Sequence, residues 1–522
     1  MTKYVRRWSV AGIATTMLGA TALAGTAFAQ DRGGFNLLQQ FAQNVATPNH
    51  HGGGGGGGGD GGGGGPGGKT LDPGPRGGAP GAGGPLPGLS QDELNFFTAA
   101  TDVFNQIETV ADGLGPRYNE LSCGVCHVQP QAGGSSPATN PQVADAIAQG
   151  AKNTVPSFIT LNGPIREARF VRNPDGTPDG GVHDLFVITG RSDAGACNIQ
   201  QPNFAAAVAA NNVIFRIPTP TFGLGLVEAV PDTGLQTALA ANAQQKRSLG
   251  ISGSFNRNGN DGTITRFGWK AQNKSLMIFA GEAYNVEEGI TNDNFPNERE
   301  GDPSCQLNGT PESKTNLVNK TNSKSPASDF SSDIVNFTMF MRFLAPPTPA
   351  TSSTPPAAST PPTTQVAAAT ATSAIAAAAS STPSTSATST SSTASVTQGQ
   401  QVFANVGCQA CHVMNQTTGM SAMTGQSNVT FQPFSDFAVH DMGTRLADHV
   451  SQGNANGRQF RTAPLWGAGQ RLFFLHDGRT ADIYQAIQQH ASEGSEANNV
   501  IRNFNILSLS DQQAVVNFLR SL

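Results

Sequence analysis

The chain has 522 residues, enough for two or three domains, yet only 37% are hydrophobic and 62 Gly with 33 Pro keep much of it out of any packed core. A net charge of −5 with no Lys/Arg-rich block argues against nucleic acid as a partner. Beyond the first residues no apolar run reaches the ~18 residues a membrane helix needs.

Residues 1–29 read as a secretory signal: Lys3, Arg6 and Arg7, an apolar run from about Val10 to Ala24, then Ala27-Phe28-Ala29 with cleavage before Gln30. Removing it leaves 28 Lys and Arg against 36 Asp and Glu, a net of −8. A periplasmic location follows, and an acidic surface suits docking of an electron-donor protein with a basic face. Phe35 to Val45 is apolar enough for a short helix. His50 and His51, read as solvated loop, then precede a glycine run, so residues 30–90 are expected to form a disordered tether. Order is expected near Leu89, where Ser90 and Glu93 form a capping box ahead of Phe96, Phe97, Val103 and Phe104.

That helix leads into Cys123-Gly-Val-Cys126-His127, which has a twin in Cys408-Gln-Ala-Cys411-His412. C-x-x-C-H is the attachment signature of a c-type haem: on one helical turn the two thiols share a face and the following imidazole joins it. Both thiols then form thioethers, and His127 or His412 ligates iron. With six Cys and nine His in the chain, two chance copies are untenable. The remaining Cys197 and Cys305 are expected to form a disulfide, since the protein is exported.

Residues 91–345 read as an N-terminal haem domain with turn-rich insertions, among them Asn173-Pro-Asp-Gly, the extended Leu185-Phe-Val-Ile-Thr and a short helix from Phe204 to Ala210. Residues 346–396 hold no charge and no aromatic ring and read as a disordered Ala/Ser/Thr/Pro linker. Residues 397–522 have the size of a cytochrome c domain. The expected fold is mainly α, with two cytochrome c-like haem domains, the first elaborated by loops and small β-hairpins. A weak repeat joins them: Phe215-Arg216 then Pro220-Thr-Phe-Gly-Leu-Gly225 is echoed by Phe460-Arg461 then Pro464-Leu-Trp-Gly-Ala-Gly469.

Iron needs a decision at its sixth position. In the C-terminal domain Thr480 can cap a helix that puts Ile483, Ile487 and His490 on one stripe, and Met442 is the rival ligand. His440 and His476 read as turn residues bonding backbone or a haem propionate, and His183 is the candidate for the first haem. Glu228, apolar on both sides, is the candidate acid/base, with Arg216 to offset its burial or hold a propionate. Trp269 and Trp466 fit core packing, with an inter-haem path as the second role.

Several segments, including Phe215-Arg-Ile-Pro-Thr-Pro-Thr-Phe-Gly-Leu-Gly-Leu-Val-Glu-Ala-Val-Pro-Asp, Arg266-Phe-Gly-Trp-Lys-Ala, Leu344-Ala-Pro-Pro, Phe434-Ser-Asp-Phe-Ala-Val-His-Asp-Met-Gly and Leu475-His-Asp-Gly-Arg, resemble the bacterial di-haem oxidoreductases, a peroxidase-like family also labelled thiol oxidoreductase-like. The resemblance spans about residues 92–345 and 397–522. That family is similar to bacterial cytochrome c peroxidases, in which a C-terminal helix carries the distal ligand. The position matches His490, so the resemblance implies His as that ligand.

The reading is an exported di-haem c-type enzyme in which one haem relays electrons and the other, in the N-terminal domain, reduces peroxide. The donor would be a small cytochrome or cupredoxin. Calcium between the domains is a further candidate cofactor. The competing readings are a non-catalytic electron carrier with two six-coordinate irons, and an oxidase acting on a partner protein or polymer.

Overall fold

The computed structural model describes residues 69–150, 155–315, 331–350 and 389–522. The signal, the Phe35 to Val45 segment, His50, His51 and most of both low-complexity tracts lie outside these. In chain order the N-terminal half contains α1 (Gln91–Phe104), β1 (Arg117–Tyr118), α2 (Cys123–Cys126), β2 (Glu167–Phe170), β3 (Phe186–Val187), β4 (Val213–Arg216), α3 (Leu224–Glu228), α4 (Leu276–Glu287) and α5 (Asp333–Phe343), with shorter helices between them. The C-terminal half contains α6 (Ser389–Val406), β5 (Gln416–Thr417), β6 (Thr430–Phe431), β7 (Val439–Asp441), β8 (Gln459–Arg461), α7 (Ile483–Gln489), α8 (Asn498–Asn505) and α9 (Leu509–Ser521). The strands pair antiparallel as β1–β3, β2–β4, β5–β6 and β7–β8. Ladders this short cannot stand alone and are pinned by the helices. The chain is thus mainly helical, and both halves carry hairpin-like ladders where the sequence suggested them in the first alone.

Each half rests on one packed helix pair. The Ser90–Glu93 capping box starts α1, and Phe97, Ala100 and Phe104 make the stripe that packs against α5. In the second half α6 packs against α9, whose N-cap Ser508 accepts from Asp511 N. Phe104 stacks on Phe340 at 4.2 Å and meets the His127 ring at 6.3 Å; Phe403 meets Phe518 at 5.5 Å and the His412 ring at 6.1 Å. The two glycines that end the repeated motif also coincide in role. A Cβ on Gly225 would lie 2.1 Å from the Arg342 carbonyl, and one on Gly469 would lie 2.3 Å from the Arg520 carbonyl. At both places only glycine lets the turn reach the end of the closing helix. The weak sequence repeat is therefore a repeat of structure.

The core around Phe97, Phe104 and Phe340 takes in Phe431 and Trp466 from the C-terminal half. A second N-terminal core holds Tyr118, Phe186 and Phe204. Beside it Cys197 and Cys305 form the expected disulfide, packed with Val187 and Ile199.

Residues 69–90, which composition assigns to the tether, form a strap across both halves instead. Asp72 receives Arg520 through two bonds of 2.7 and 2.5 Å and caps Ile483 N at 2.6 Å. Leu86 N donates to Phe343 O, and Thr348 N donates to Gly81 O. Glycine-rich text is ordered here because its backbone groups find partners that composition cannot reveal. The helix delivering Cys408 likewise begins at Ser389 rather than Thr397. Among the described residues no helix is long and apolar enough to cross a membrane.

Candidate haem-binding sites

Ser122 accepts from Gly124 N and so starts the single turn α2; His127 N then donates to Cys123 O at 3.0 Å, which brings the ring beside the two thiols. Cys408–Ala410 forms a tighter 3₁₀ turn, and His412 N donates to Cys408 O, also at 3.0 Å. None of these four cysteines is in a disulfide. Each motif opens on a largely apolar cavity, one lined by Phe104, Phe337 and Met341, the other by Phe403, Leu465, Phe474 and Ile487. His127 Nδ1 lies 3.1 Å from Gly134 O and His412 Nδ1 lies 2.9 Å from Phe434 O. Donating Nδ1–H to a carbonyl leaves the lone pair on Nε2, the atom that ligates metal. Removal from water lowers both imidazoles to about 4, so each is neutral and able to ligate at neutral pH.

His490, at the end of α7, lines the same cavity as His412. The N-cap of its helix is Asp482, which accepts from Gln485 N at 2.9 Å, and the expected cap Thr480 supports it by accepting from Asp482 N. Ile483 and Ile487 face the core as the stripe requires. His490 Nδ1 lies 2.7 Å from Ala486 O, which again leaves Nε2 for a metal. Met442 also lines this cavity, packed with Ile217, Trp269 and Phe460.

His183 and His440 depart from expectation, and His476 is the turn residue expected. His183 sits over Phe170 at 3.7 Å and pairs with Asp179 at 3.5 Å, and it is not in the lining of the N-terminal cavity. His440 is a strand residue, not a turn: its ring is held between Glu496 at 2.8 Å and Asp436 at 3.1 Å. His476 is buried in the C-terminal cavity wall, stacked on Phe460 at 4.3 Å.

Glu228 is engaged away from both cavities. It pairs with Arg342 at 2.6 Å and accepts from Leu276 N at 2.8 Å, so it caps α4. Its apolar neighbours in sequence hid a cation that arrives from α5. The acidic residues that do line the N-terminal cavity are Glu120, Glu167, Glu282, Glu287 and Glu288. The signal that was missed is the carboxylate pair Glu287-Glu288 closing a largely apolar helix that also carries Glu282. Glu287 and Glu167 hydrogen-bond to each other. Burial raises both, but Arg169, Glu287 itself and Arg216 bring Glu167 below the usual range, whereas Glu287, buried and facing the charge on Glu167, is pushed well above it. The two carboxyls are thus driven apart, Glu287 toward its protonated form and Glu167 toward its ionised one.

Arg216 lines this cavity. Its Nη2 meets Asp448 at 2.6 Å, Nη1 meets Gln452 at 2.5 Å, and Nε is buried without a partner. Lys270 shares Asp448 at 3.0 Å. In the C-terminal cavity the partly buried Arg471 donates Nε–H to Phe473 O at 2.9 Å but leaves Nη2 buried without a partner, and burial lowers its guanidinium only to about 10. A buried cation without an anion is costly, and the propionate of a haem would satisfy it. Trp269 lines both cavities and donates to Ile217 O at 3.0 Å; Trp466 lines the C-terminal one and stacks against Phe431.

Two cavities, each with two thiols, a ligating imidazole and a guanidinium with one unpartnered N–H group, fit one haem apiece. The class this defines is a haem oxidoreductase with two centres. The chain belongs to the family described as di-haem oxidoreductase, putative peroxidase, whose model matches residues 167–355 and again 351–522. No curated protein and no solved structure matches it. Among the described residues no cluster of three or more His, Cys, Asp or Glu forms a metal cage, so the calcium expectation finds no such site there.

Proposed function

We propose that this protein is an exported, periplasmic c-type cytochrome peroxidase with two cytochrome c-like haem domains. Cys123 with Cys126, and Cys408 with Cys411, hold the haems through thioethers; His127 and His412 are the proximal ligands. His490 is the distal ligand of the second haem, with Met442 packing beside it. The haems supply the one-electron steps. Peroxide reduction takes two electrons and two protons and releases two waters.

The observation that carries the reading is the Glu287–Glu167 pair lining the same cavity as His127, with Arg169 Nε on Glu167 at 3.1 Å favouring its ionised form and burial favouring the protonated form of Glu287. Glu287 gives a proton to the departing oxygen of peroxide, and Glu167, held ionised by Arg169, takes one from the other oxygen. Arg216, through its unpartnered Nε, would hold a carboxylate of the cofactor. Electrons arrive from a small cytochrome or cupredoxin at the C-terminal half and cross at Trp269, the wall common to both cavities.

Electronic spectra of the oxidised and half-reduced protein test this. A high-spin N-terminal iron that binds cyanide and turns over peroxide is the expected result. Two low-spin irons inert to both would overturn it in favour of a non-catalytic electron carrier.

A further inference from the structure

A second set of acidic groups, separate from Glu167 and Glu287, leads from the N-terminal cavity outward. Glu288 forms part of the cavity wall. After burial itself, it is the neighbour whose charge acts most strongly on Glu108. Glu108 accepts from the exposed Gln106 at 3.1 Å through Oε2, and its Oε1 lies 3.1 Å from the Tyr284 hydroxyl. The same hydroxyl lies 3.4 Å from Asp333 Oδ2, which is also held by Ser313 Oγ at 2.8 Å. Asp333 is half-buried, and the charge of the exposed Asp112 reaches it.

A phenol has one hydrogen to donate. Between two carboxyls it satisfies both only when one of them carries a proton and donates back to the phenol oxygen. Apolar residues of equal volume would fill this space at less cost, so a purely structural role does not explain the arrangement. Burial first, then the charges of Glu288 and Asp333, raise Glu108 to about 9. Burial and the charge of Asp333 raise Glu288 to about 8, against its contact with the Cys123 thiol. Groups in that range both hold and release a proton near neutral pH.

We propose that Asp333, Tyr284, Glu108 and Glu288 form a proton relay from solvent into the N-terminal haem cavity. The inference rests on the peroxidase reading for its purpose: the two protons consumed with each peroxide must reach the cavity that His127 lines. A proton from solvent binds Asp333. The Tyr284 oxygen accepts it while its own hydrogen passes to Glu108. The proton of Glu108 moves on to Glu288, which releases one into the cavity, and rotation of the hydroxyl resets the chain. Each step breaks one O–H bond and forms another, and no electron moves.

The test uses the di-haem holoprotein in weak buffer with a pH-indicator dye, reduced rapidly without peroxide by the methyl viologen radical cation, whose oxidation releases no proton. The wild type should take up protons as the N-terminal haem is reduced. Tyr284→Phe keeps the ring against Phe337 (4.9 Å) and should slow that uptake about a hundredfold, as removal of a proton-transfer group does at the modest end. Glu108→Gln should do the same, with Soret absorbance unchanged in both. Uptake as fast in both variants as in the wild type, or no uptake by the wild type, overturns the relay. Uptake that depends on Tyr284 in a protein that fails to reduce peroxide supports the relay and overturns the peroxidase reading alone.

Discussion

Arg216 and Asp448 come from opposite halves of the chain and meet at 2.6 Å with both side chains 1% exposed. Because Lys270 shares the same carboxylate, Asp448→Asn leaves two buried cations facing each other. The expected loss is about 3–5 kcal/mol, the range for breaking a buried ion pair from one side. Guanidinium unfolding of the holoprotein followed in the Soret band measures it; a loss within the scatter of a surface substitution would contradict the pairing.

At the second haem, His490→Ala should open the sixth position. A high-spin signal and carbon monoxide binding at the C-terminal iron are the expected outcomes. His490→Met should keep the iron low-spin and raise its potential, by a fraction of the ~0.8 V that axial ligands span. If Met442 were the ligand, neither spectrum would change.

Replacing Glu287 by Gln removes the protonated partner of Glu167 while preserving shape. Steady-state peroxide assays should show kcat lowered by about 10²–10⁴, with KM for the electron donor unchanged. Glu228→Gln loses the ion pair with Arg342 and should lower thermal stability without such an effect on kcat.

Glu108 and Glu288 have folded pKa values raised to about 9 and about 8, against about 4.3 in the unfolded chain. The native state therefore holds protons that the unfolded state gives up. That stabilisation is complete below the ordinary carboxylate range and is lost as pH rises through the folded values. The denaturation midpoint should fall steadily between pH 5 and 8, a window in which Lys270, lowered by burial to about 8, remains mostly charged. Glu108→Gln should flatten the slope.

The haem motifs, the helix before each and the His490 stripe could be read from residue spacing, because C-x-x-C-H, capping and helical periodicity are local rules; the disulfide could be read from the two cysteines left over in a chain read as exported. The role of Glu228 could not. Whether a carboxylate meets iron or an arginine depends on α5, which lies far along the chain. Glu167 became visible only when β2 paired with β4 and set it opposite Arg216. The strap failed for the same reason: Asp72 in glycine-rich text is unremarkable until Arg520 arrives beside it. What sequence conceals here is long-range pairing of charges, and the proposed acid–base pair depends on it.

The strap also bears on how the molecule can be taken apart. Asp72–Arg520, Arg216–Asp448 and the shared aromatic core join the halves without the segment from 351 to 388. A gene divided within that segment should therefore yield two polypeptides that co-purify as one complex. Production of the downstream fragment alone would leave Arg520 and Asp448 stripped of their counter-ions.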